Sequence, residues 1–375
     1  MTRQRGFSLI EILVGLIIGL IGVVVIMQML VTTEHQKRST TSGGDAQING
    51  TLGLYSLSQD LRLAGYGFAS VDALNCAVNA YNSARAPASF SFAAAPVIIN
   101  PPAIPAGDSG SDVLQIAYGN SDGVVEGATL AANSSFPTYG MNNVAALSPG
   151  EFIVLAEAGK ACWLGQITPT TPASSSVIST AANQWNPAGG PGVIYSSAAH
   201  LFDLGLAPQV VVYAVRNGNL TRCDLLNSPC EDATKTGDPT VWPTITAGIV
   251  GLRASYGRDT GAGSLATRAV IPDTWDQTDD AEDASDNPAN ACSWARIPAV
   301  AVALLARSNQ YEQTPNGAPP VTPSAPKWRV GGGGPFTPPY TFDMSGIPNW
   351  QNYRYKVFQT LIPLRNILWM DKTGC

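Results

Sequence analysis

Residues 7–31 read FSLIEILVGLIIGLIGVVVIMQMLV, an apolar stretch that contains one charged residue, Glu11. A helix of this length measures about 37 Å, which is enough to cross a bilayer core of about 30 Å. Arg3 and Arg5 precede the stretch. The positive-inside tendency therefore predicts a single-pass protein whose N-terminus stays in the cytoplasm and whose remaining chain is exported.

The order of the leader and the apolar stretch differs from that of a secretory signal. A secretory signal places its apolar segment before a small-residue cleavage site, whereas here the basic leader, residues 1–6, ends at Gly6 directly before the apolar segment. A carboxylate inside a membrane helix costs about 2.5–3.5 kcal/mol on insertion scales, so Glu11 is expected to have a partner. Cleavage between Gly6 and Phe7 would place an α-amino group one helical turn from Glu11. This ammonium, from the same or a neighbouring subunit, is its natural partner.

The string Arg5-Gly6-Phe7-Ser8-Leu9-Ile10-Glu11 closely resembles the processing signal of type IV pilins and pseudopilins. The resemblance implies that prepilin peptidase, a membrane aspartyl peptidase, cleaves after Gly6. It also implies that Phe7 becomes the N-methylated terminus and that Glu11 is the glutamate used in assembly. An ordinary signal anchor is the alternative explanation of the apolar stretch.

The segment after the apolar stretch has a helical pattern of its own. The helix is expected to bend or break around Ser42-Gly43-Gly44 and to resume at Asp45, a candidate N-cap. Gly65 and Gly67 are expected to end it. An apolar stripe with helical spacing lies between these points and is expected to pack against a sheet. It consists of Leu54, Leu57, Leu61 and Ala64.

The remaining residues, 68–375, are predicted to form a β-rich domain. Charged residues make up only 13% of the chain, while 37 glycines and 28 prolines favour short strands between loops. Asn217-Gly218 is predicted to be a type I′ hairpin turn. Long loops are expected at 85–111, 168–192 and 312–348. The predicted strands are 112–118, 151–156, 162–167, 209–216, 219–224, 249–256, 299–307, 353–360 and 364–369.

These features predict an α+β, pilin-like fold, in which a long N-terminal hydrophobic helix packs on a large antiparallel β-rich domain with long loops. The expected organisation is a leader over 1–6, a transmembrane and assembly helix over 7–67, and a periplasmic domain over 68–375. Six cysteines in an exported chain favour disulfides. Cys223 and Cys230 are close enough in sequence to pair. The pairing of the other four cysteines stays open.

Patches of the C-terminal part resemble a minor pilin of the same family. They are 251–257, 300–308 and 353–366, together with residues 57–66 at the end of the predicted helix. The resemblance implies an inner-membrane protein that later enters a pilus fibre at the cell surface and primes or caps its assembly. Its partners would be the major pilin and other minor pilins. A type II secretion minor pseudopilin and a tip adhesin are the alternatives within this class.

A membrane-anchored periplasmic enzyme is the alternative from another class. Gly107-Asp108-Ser109-Gly110 matches the nucleophile loop of chymotrypsin-like proteases, and His200 is the candidate base. Such a tetrad is expected by chance in a loop-rich chain, so no catalytic residue, enzymatic activity or cofactor is predicted. The acidic stretch 273–286 lacks the register of an EF-hand loop, so no metal site is predicted either. A net charge of −6 argues against direct nucleic-acid binding.

Overall fold

The computed structural model describes residues 8–123, 127–144, 146–169, 177–265, 267, 269–277, 291–312, 320–329, 340–372 and 375. For residues 35, 36, 38–42 and 291 it describes the backbone alone. The first helix, α1, spans Leu9–Leu63, and two short helices follow near the C-terminus, α2 (Ala291–Ala295) and α3 (Arg365–Trp369). Single 3-10 turns occupy Ala233–Lys235 and Trp350–Asn352.

The described strands are short in the first part of the domain and longer in the second. The first ten are β1 (Ala77–Tyr81), β2 (Ser89–Ala93), β3 (Val97–Ile99), β4 (Leu114–Tyr118), β5 (Ala128–Thr129), β6 (Thr138–Gly140), β7 (Phe152–Ala156), β8 (Cys162–Gln166), β9 (Val177–Ser179) and β10 (His200–Gly205). The others are β11 (Gln209–Arg216), β12 (Asn219–Asp224), β13 (Thr244–Ala247), β14 (Ile249–Arg258), β15 (Thr274–Asp276), β16 (Ala299–Arg307), β17 (Lys327–Trp328), β18 (Tyr340–Thr341) and β19 (Tyr355–Pro363).

Three main sheets form the domain. A six-stranded sheet has the order β2-β1-β8-β7-β10-β5, a five-stranded sheet has the order β13-β12-β11-β4-β3, and a four-stranded sheet has the order β15-β14-β16-β19. All described pairings are antiparallel except β1 with β8. The predicted α+β class with a long helix on an antiparallel β-rich domain is therefore confirmed.

Helix α1 runs through Ser42-Gly43-Gly44 without interruption, so the predicted break at these residues is wrong. A Cβ built at Gly43 or Gly44 would meet no other atom within 4 Å, so no neighbouring element forces a bend there. Each glycine costs a helix about 1 kcal/mol relative to alanine. Docking of the following turns, which begins at buried Ala46, outweighs this cost.

The end of α1 follows the prediction. Ala64 leaves helical geometry, and Gly65 and Gly67 adopt φ values of +80° and +89°, which are strained for any residue with a side chain. The Gly65 N–H then donates to the Ala117 carbonyl at 2.8 Å. The chain therefore turns from the helix directly into contact with β4.

Several strands lie where the sequence predicts them. Strands β11, β12 and β16 have the predicted bounds. Asn217 and Gly218 have φ values of 52° and 71°, as a type I′ turn requires.

Several further predictions of secondary structure are wrong. The loop predicted over 168–192 contains β9, and the loop predicted over 312–348 contains the paired strands β17 and β18. The region 85–111 contains β2 and β3 rather than loop alone, because its apolar residues pair with β1 and β4. The predicted strand 364–369 is the helix α3. Pro363 ends β19, and Leu364 and Ile367 are buried three residues apart, which is a helical rather than an alternating spacing.

Candidate assembly site on the N-terminal helix

The first half of α1 contacts no other part of the described chain. Residues Leu9–Glu34 form a segment of mean hydropathy 3.0 that is long and apolar enough to cross a membrane, and none of it is buried in the protein. Large side chains on every side of this segment are exposed, for example Ile10 at 70% and Met29 at 69%. A helix that is apolar all round and unpacked is typical of one that lies in lipid or among other helices.

Glu11 lies in the first turn of this exposed segment. Its carboxylate Oε2 is 3.4 Å from the backbone N–H of Ser8, which donates to it, and the side chain is otherwise exposed. Gly6 and Phe7, the predicted cleavage and methylation residues, lie outside the described residues. The structure therefore shows the start of the helix and Glu11, and the processing itself remains a prediction.

The second half of α1 is docked on the domain through one face. This face is built from small residues and two leucines, spaced three or four apart: Ala46, Gly50, Gly53, Leu57, Leu61 and Ala64. The helix lies across β13, β16 and β19, so that it touches both the five-stranded and the four-stranded sheet. Of the predicted stripe, Leu57, Leu61 and Ala64 are buried and Leu54 is partly buried.

The two glycines on this face allow close approach of helix and sheet. A Cβ at position 50 would overlap the ring of Phe358, and one at position 53 would lie 3.0–3.1 Å from side chains of Thr246, Leu220 and Leu304. Both positions are therefore occupied by neighbouring side chains. Gly50 and Gly53 are not among the residues predicted to contact the sheet, although their spacing with Leu57 is a signal that could have found them.

A polar cluster around Asp60 also fixes α1 to the five-stranded sheet. The two Asp60 carboxylate oxygens each accept a hydrogen bond of 2.7 Å, one from the Tyr118 hydroxyl and one from the Tyr213 hydroxyl. Arg222 Nε lies 3.3 Å from Asp60 Oδ2. The Ser56 and Tyr213 hydroxyls are 3.0 Å apart. These five residues, from α1, β4, β11 and β12, are called the Asp60 cluster below.

Burial and the neighbouring carboxylate affect the tyrosines of the Asp60 cluster. Burial raises the pKa of Tyr118 and Tyr213 well above the ordinary value, and Asp60 raises both further because a second negative charge would be unfavourable there. Both hydroxyls therefore stay protonated and donate at neutral pH. The sequence offered no sign of this cluster, since Asp60 and Arg222, for example, lie 162 residues apart.

The C-terminus secures the end of α1. Asn366 Nδ2, on α3, donates to the carbonyls of Leu63 and Ala64 at 3.1 and 2.9 Å, which satisfies groups that a helix end leaves free. A disulfide between Cys292 and Cys375 links α2 to the last residue of the chain. The family-like segment 353–366 is thus one of the parts of the domain that contact α1.

The other two disulfides form covalent links in separate parts of the domain. Cys76 is joined to Cys162 beside the parallel contact of β1 and β8, and Cys223 is joined to Cys230 at the end of β12. The sequence favours the second pair and leaves the first open. Three disulfides fit a domain that folds outside a reducing cytoplasm.

A buried carboxylate ties the loop before β4 to the four-stranded sheet. Asp112 accepts hydrogen bonds from Arg253 Nη1 at 2.7 Å, Asn100 Nδ2 at 3.0 Å and the Ala254 backbone N–H at 2.9 Å. Burial raises the pKa of Asp112, an effect that Arg253 opposes. Because Arg253 also stacks on Tyr340, this residue of the family-like segment 251–257 has a packing role.

The two residues of the protease-like pattern have separate partners. Ser109 lies against Gly346 and hydrogen-bonds Asp343, whereas His200 Nδ1 is 2.6 Å from Asp72 Oδ2. The described structure therefore gives Ser109 and His200 no common hydrogen-bond partner. In the acidic stretch, Asp276 pairs with Arg258 and Asp273 accepts from Thr260, while 278–286 lie outside the described residues.

Helix and domain together define the class of protein. An exposed apolar helix that continues into a docked helix on an antiparallel β-rich domain is the arrangement expected of a type IV pilin-like protein. Two family models agree with this class: residues 1–27 match the prokaryotic N-terminal methylation motif, and residues 212–366 match the type IV pilus-assembly protein W, PilW. The matches are consistent with a type IV minor pilin PilW. No curated protein and no solved structure gives a significant match to the chain.

Proposed function

We propose that this chain is a minor pilin that is cleaved after Gly6 by prepilin peptidase, N-methylated at Phe7, and then primes or caps a type IV pilus. The observation that carries the proposal is the two-part helix α1. Its first 26 residues are unburied and apolar, and its last turns are fixed to a β-rich domain. The match to the methylation motif over residues 1–27 supports the same processing.

The proposed role of Glu11 follows from the cost of a charge in an apolar environment. On assembly, α1 leaves lipid for a bundle of similar helices, which exchanges one apolar environment for another and gives little directional preference. An unpaired buried carboxylate costs several kcal/mol, so pairing Glu11 with the Phe7 ammonium of a neighbour would set the axial register. Glu11 accepts from the Ser8 N–H and its side chain is exposed in the described part of the chain, which leaves the carboxylate accessible to such a partner.

The proposed location and partners follow from the same arrangement. Residues 1–6 are the leader, 7–67 form the membrane and assembly helix, and 68–375 form a periplasmic domain. The subunit waits in the inner membrane and later becomes part of the fibre, where its partners are the major pilin and other minor pilins. The large domain with long loops favours a rare subunit at the tip over a densely repeated subunit of the shaft.

Processing and assembly can be tested separately. Mass spectrometry of the mature chain should find an N-terminus at methylated Phe7, and an intact Met1 would contradict the proposal. Glu11→Ala should still be cleaved but should enter sheared pili at a tenth of the normal level or less. Glu34→Ala, at the far end of the same apolar segment, is the matched control and should assemble normally.

A genetic test addresses the role in the fibre. Deleting the gene should reduce the number of surface pili while the pool of major pilin in the membrane remains. Normal pilus numbers would exclude a priming role. Ser109→Ala combined with His200→Ala should leave pilus assembly unchanged, because the matched family is a structural pilin component; loss of assembly in a folded double variant would favour an enzyme.

A further inference from the structure

The edge of the four-stranded sheet is formed by β19, which pairs with β16 along its whole length. The register runs from Ala299 opposite Pro363 to Arg307 opposite Tyr355 without a bulge. β19 has nine residues, whereas the other edge strands of the three main sheets, β2, β5, β13, β3 and β15, have between two and five. It is thus the longest described edge, and it is straight.

Two hydrogen bonds just beyond the strand ends determine which backbone groups point outward. The Ser308 N–H donates to the Arg354 carbonyl, and the Leu364 N–H donates to the Pro298 carbonyl, both at 2.8 Å. In an antiparallel pair, hydrogen-bonded and non-hydrogen-bonded residues alternate. Residues 356, 358, 360 and 362 therefore bond to β16, while the N–H and C=O groups of 355, 357, 359 and 361 point away from it.

These outward groups have no hydrogen-bond partner among the described residues. Gln359 and Leu361 are exposed at the centre of this edge, Leu361 at 47%. Helix α1 lies on a face of β19 and not along its edge: Gly50 lies over the Phe358 ring, and Gln47 Oε1 accepts from Lys356 Nζ at 3.0 Å. A long unpaired edge is a template for another strand unless something covers it.

The side chains beside the edge favour the binding of a strand with apolar side chains. On one face of the sheet, Tyr355 and Val357 are only partly buried against the cluster that contains Trp328 and Phe342. On the other face, Phe358 is partly buried beneath α1. An added strand with apolar residues at alternate positions would extend both faces, and its main chain would satisfy the outward N–H and C=O groups.

We propose that the β19 edge binds an extended strand of a neighbouring subunit in the filament, by backbone pairing to residues 355–361. The neighbour is a different subunit rather than a second copy, because the proposed function makes this chain a rare subunit with other pilins beside it. This inference rests on the proposed function, because α1 places the domain beside other subunits only if the chain enters a filament. Helix α1 is docked on a face of β19, so this edge lies beside the element that is proposed to pack among neighbouring helices.

The first test removes one outward N–H without disturbing the pairing with β16. Leu361→Pro in the full-length chain eliminates the N–H at 361, and proline is tolerated where a strand N–H faces away from its sheet. We expect its level in sheared pili to fall at least tenfold. Leu361→Ala, which keeps the N–H, is the matched control and should stay within twofold of the unmodified chain.

The outcomes separate this inference from the proposed function. Normal incorporation of Leu361→Pro, in cells where deleting the gene does reduce pili, would overturn the strand pairing and leave the minor-pilin role intact. Peptide mapping should find the Cys292–Cys375 disulfide in both variants, as a sign that the C-terminal part has folded.

A second measurement tests the strand pairing independently, in case the proline variant fails to fold. A photo-crosslinking amino acid is placed at Gln359 in the full-length chain in cells, with Lys235, an exposed residue of the 3-10 turn, as the control position. We expect a covalent adduct at 359 with another pilin subunit, identified by mass spectrometry, and none at 235. No adduct at 359, or an adduct with a second copy of this chain, would overturn the proposal.

Discussion

The two halves of α1 are both rich in apolar residues but behave in opposite ways. In residues 9–34, large apolar side chains surround the helix and nothing in the domain covers them. In residues 46–64, one face of small and apolar residues is buried on the domain, while Ile48, Leu52, Tyr55 and Leu63 stay exposed on the rest of the helix. The comparison shows that apolar content alone does not make a helix dock on its own domain.

The second half of α1 docks because it has a close-fitting surface and polar side chains that bond to the sheets. The docked half presents Gly50 and Gly53 to the sheets, so that Phe358 and its neighbours approach the helix backbone. It also carries Asp60, whose carboxylate is held by two tyrosines and an arginine. The exposed half has three glycines as well, Gly15, Gly19 and Gly22, but a Cβ added at any of them would meet no other described element within 4 Å.

The largest expected effect on stability comes from removing Asp60. Asp60→Ala would leave Tyr118, Tyr213 and Arg222 without their shared acceptor in a site where water has little access. We expect the free energy of unfolding to fall by about 3 kcal/mol. Chemical denaturation of the full chain in detergent measures this change. Asp45→Ala, an exposed acid on the same helix, is the matched control, and an equal loss there would contradict the role given to the cluster.

Replacing two glycines of α1 with alanine should change the stability of the protein in opposite directions. Gly50→Ala forces a methyl group into the position of the Phe358 ring, so we expect a loss of about 1–3 kcal/mol. Gly44→Ala lies where nothing is within 4 Å and should stabilise the helix by about 0.5–1 kcal/mol. Thermal unfolding of both variants compares them directly. A gain in stability for Gly50→Ala would mean that α1 does not pack closely on β19.

Alkaline pH should lower the stability of the docked half of α1, because Tyr118 and Tyr213 ionise more readily in the unfolded chain. An unfolded chain ionises its tyrosines near a pKa of about 10, whereas burial raises the pKa of Tyr118 and Tyr213 in the folded chain. The unfolded state then loses protons first, so the stabilisation is complete below pH 10 and declines as the pH rises further. Tyrosinate absorbance should show fewer ionised tyrosines at pH 11 in the native chain than in denaturant. Equal absorbance would place both hydroxyls in solvent.

The smallest effect on stability is expected from removing the exposed half. Deleting residues 1–34 should change the free energy of unfolding by less than about 0.5 kcal/mol, because the segment Leu9–Glu34 buries nothing in the domain. The shortened chain should also stay in solution without detergent. A clear drop in its unfolding temperature would show that the exposed half contributes to the domain after all.

Structural features that depend on residues close together in the sequence were predictable. The apolar stretch, its position after a basic leader, and the Asn217-Gly218 turn each lie within a few neighbouring residues. The strands β11, β12 and β16 were predicted with their observed bounds because each is a run of apolar or β-branched residues between turn signals. The stripe of Leu57, Leu61 and Ala64 followed from helical spacing in the same way.

Structural features that depend on contacts between distant parts of the chain were not predictable from the sequence pattern. The sequence predicts a strand where the structure has the helix α3, since a five-residue segment offers too little periodicity to distinguish the two. The break at Gly43-Gly44 was expected from local propensity, and the packing of the next turns overrode it. The Asp60 cluster and the Asp112 network join residues far apart in the chain, and a single sequence gives no measure of such distances.

The sequence by itself determined that this chain has a membrane-length N-terminal helix, a pilin-type leader and a β-rich domain, because each depends on composition and order along a short stretch. Only the tertiary structure decided that α1 is one unbroken helix, that its second half is anchored by Gly50, Gly53 and Asp60, and that the outer edge of β19 pairs with no other described strand. Those features depend on which distant segments meet in space, and that meeting is set by the packing of the whole chain.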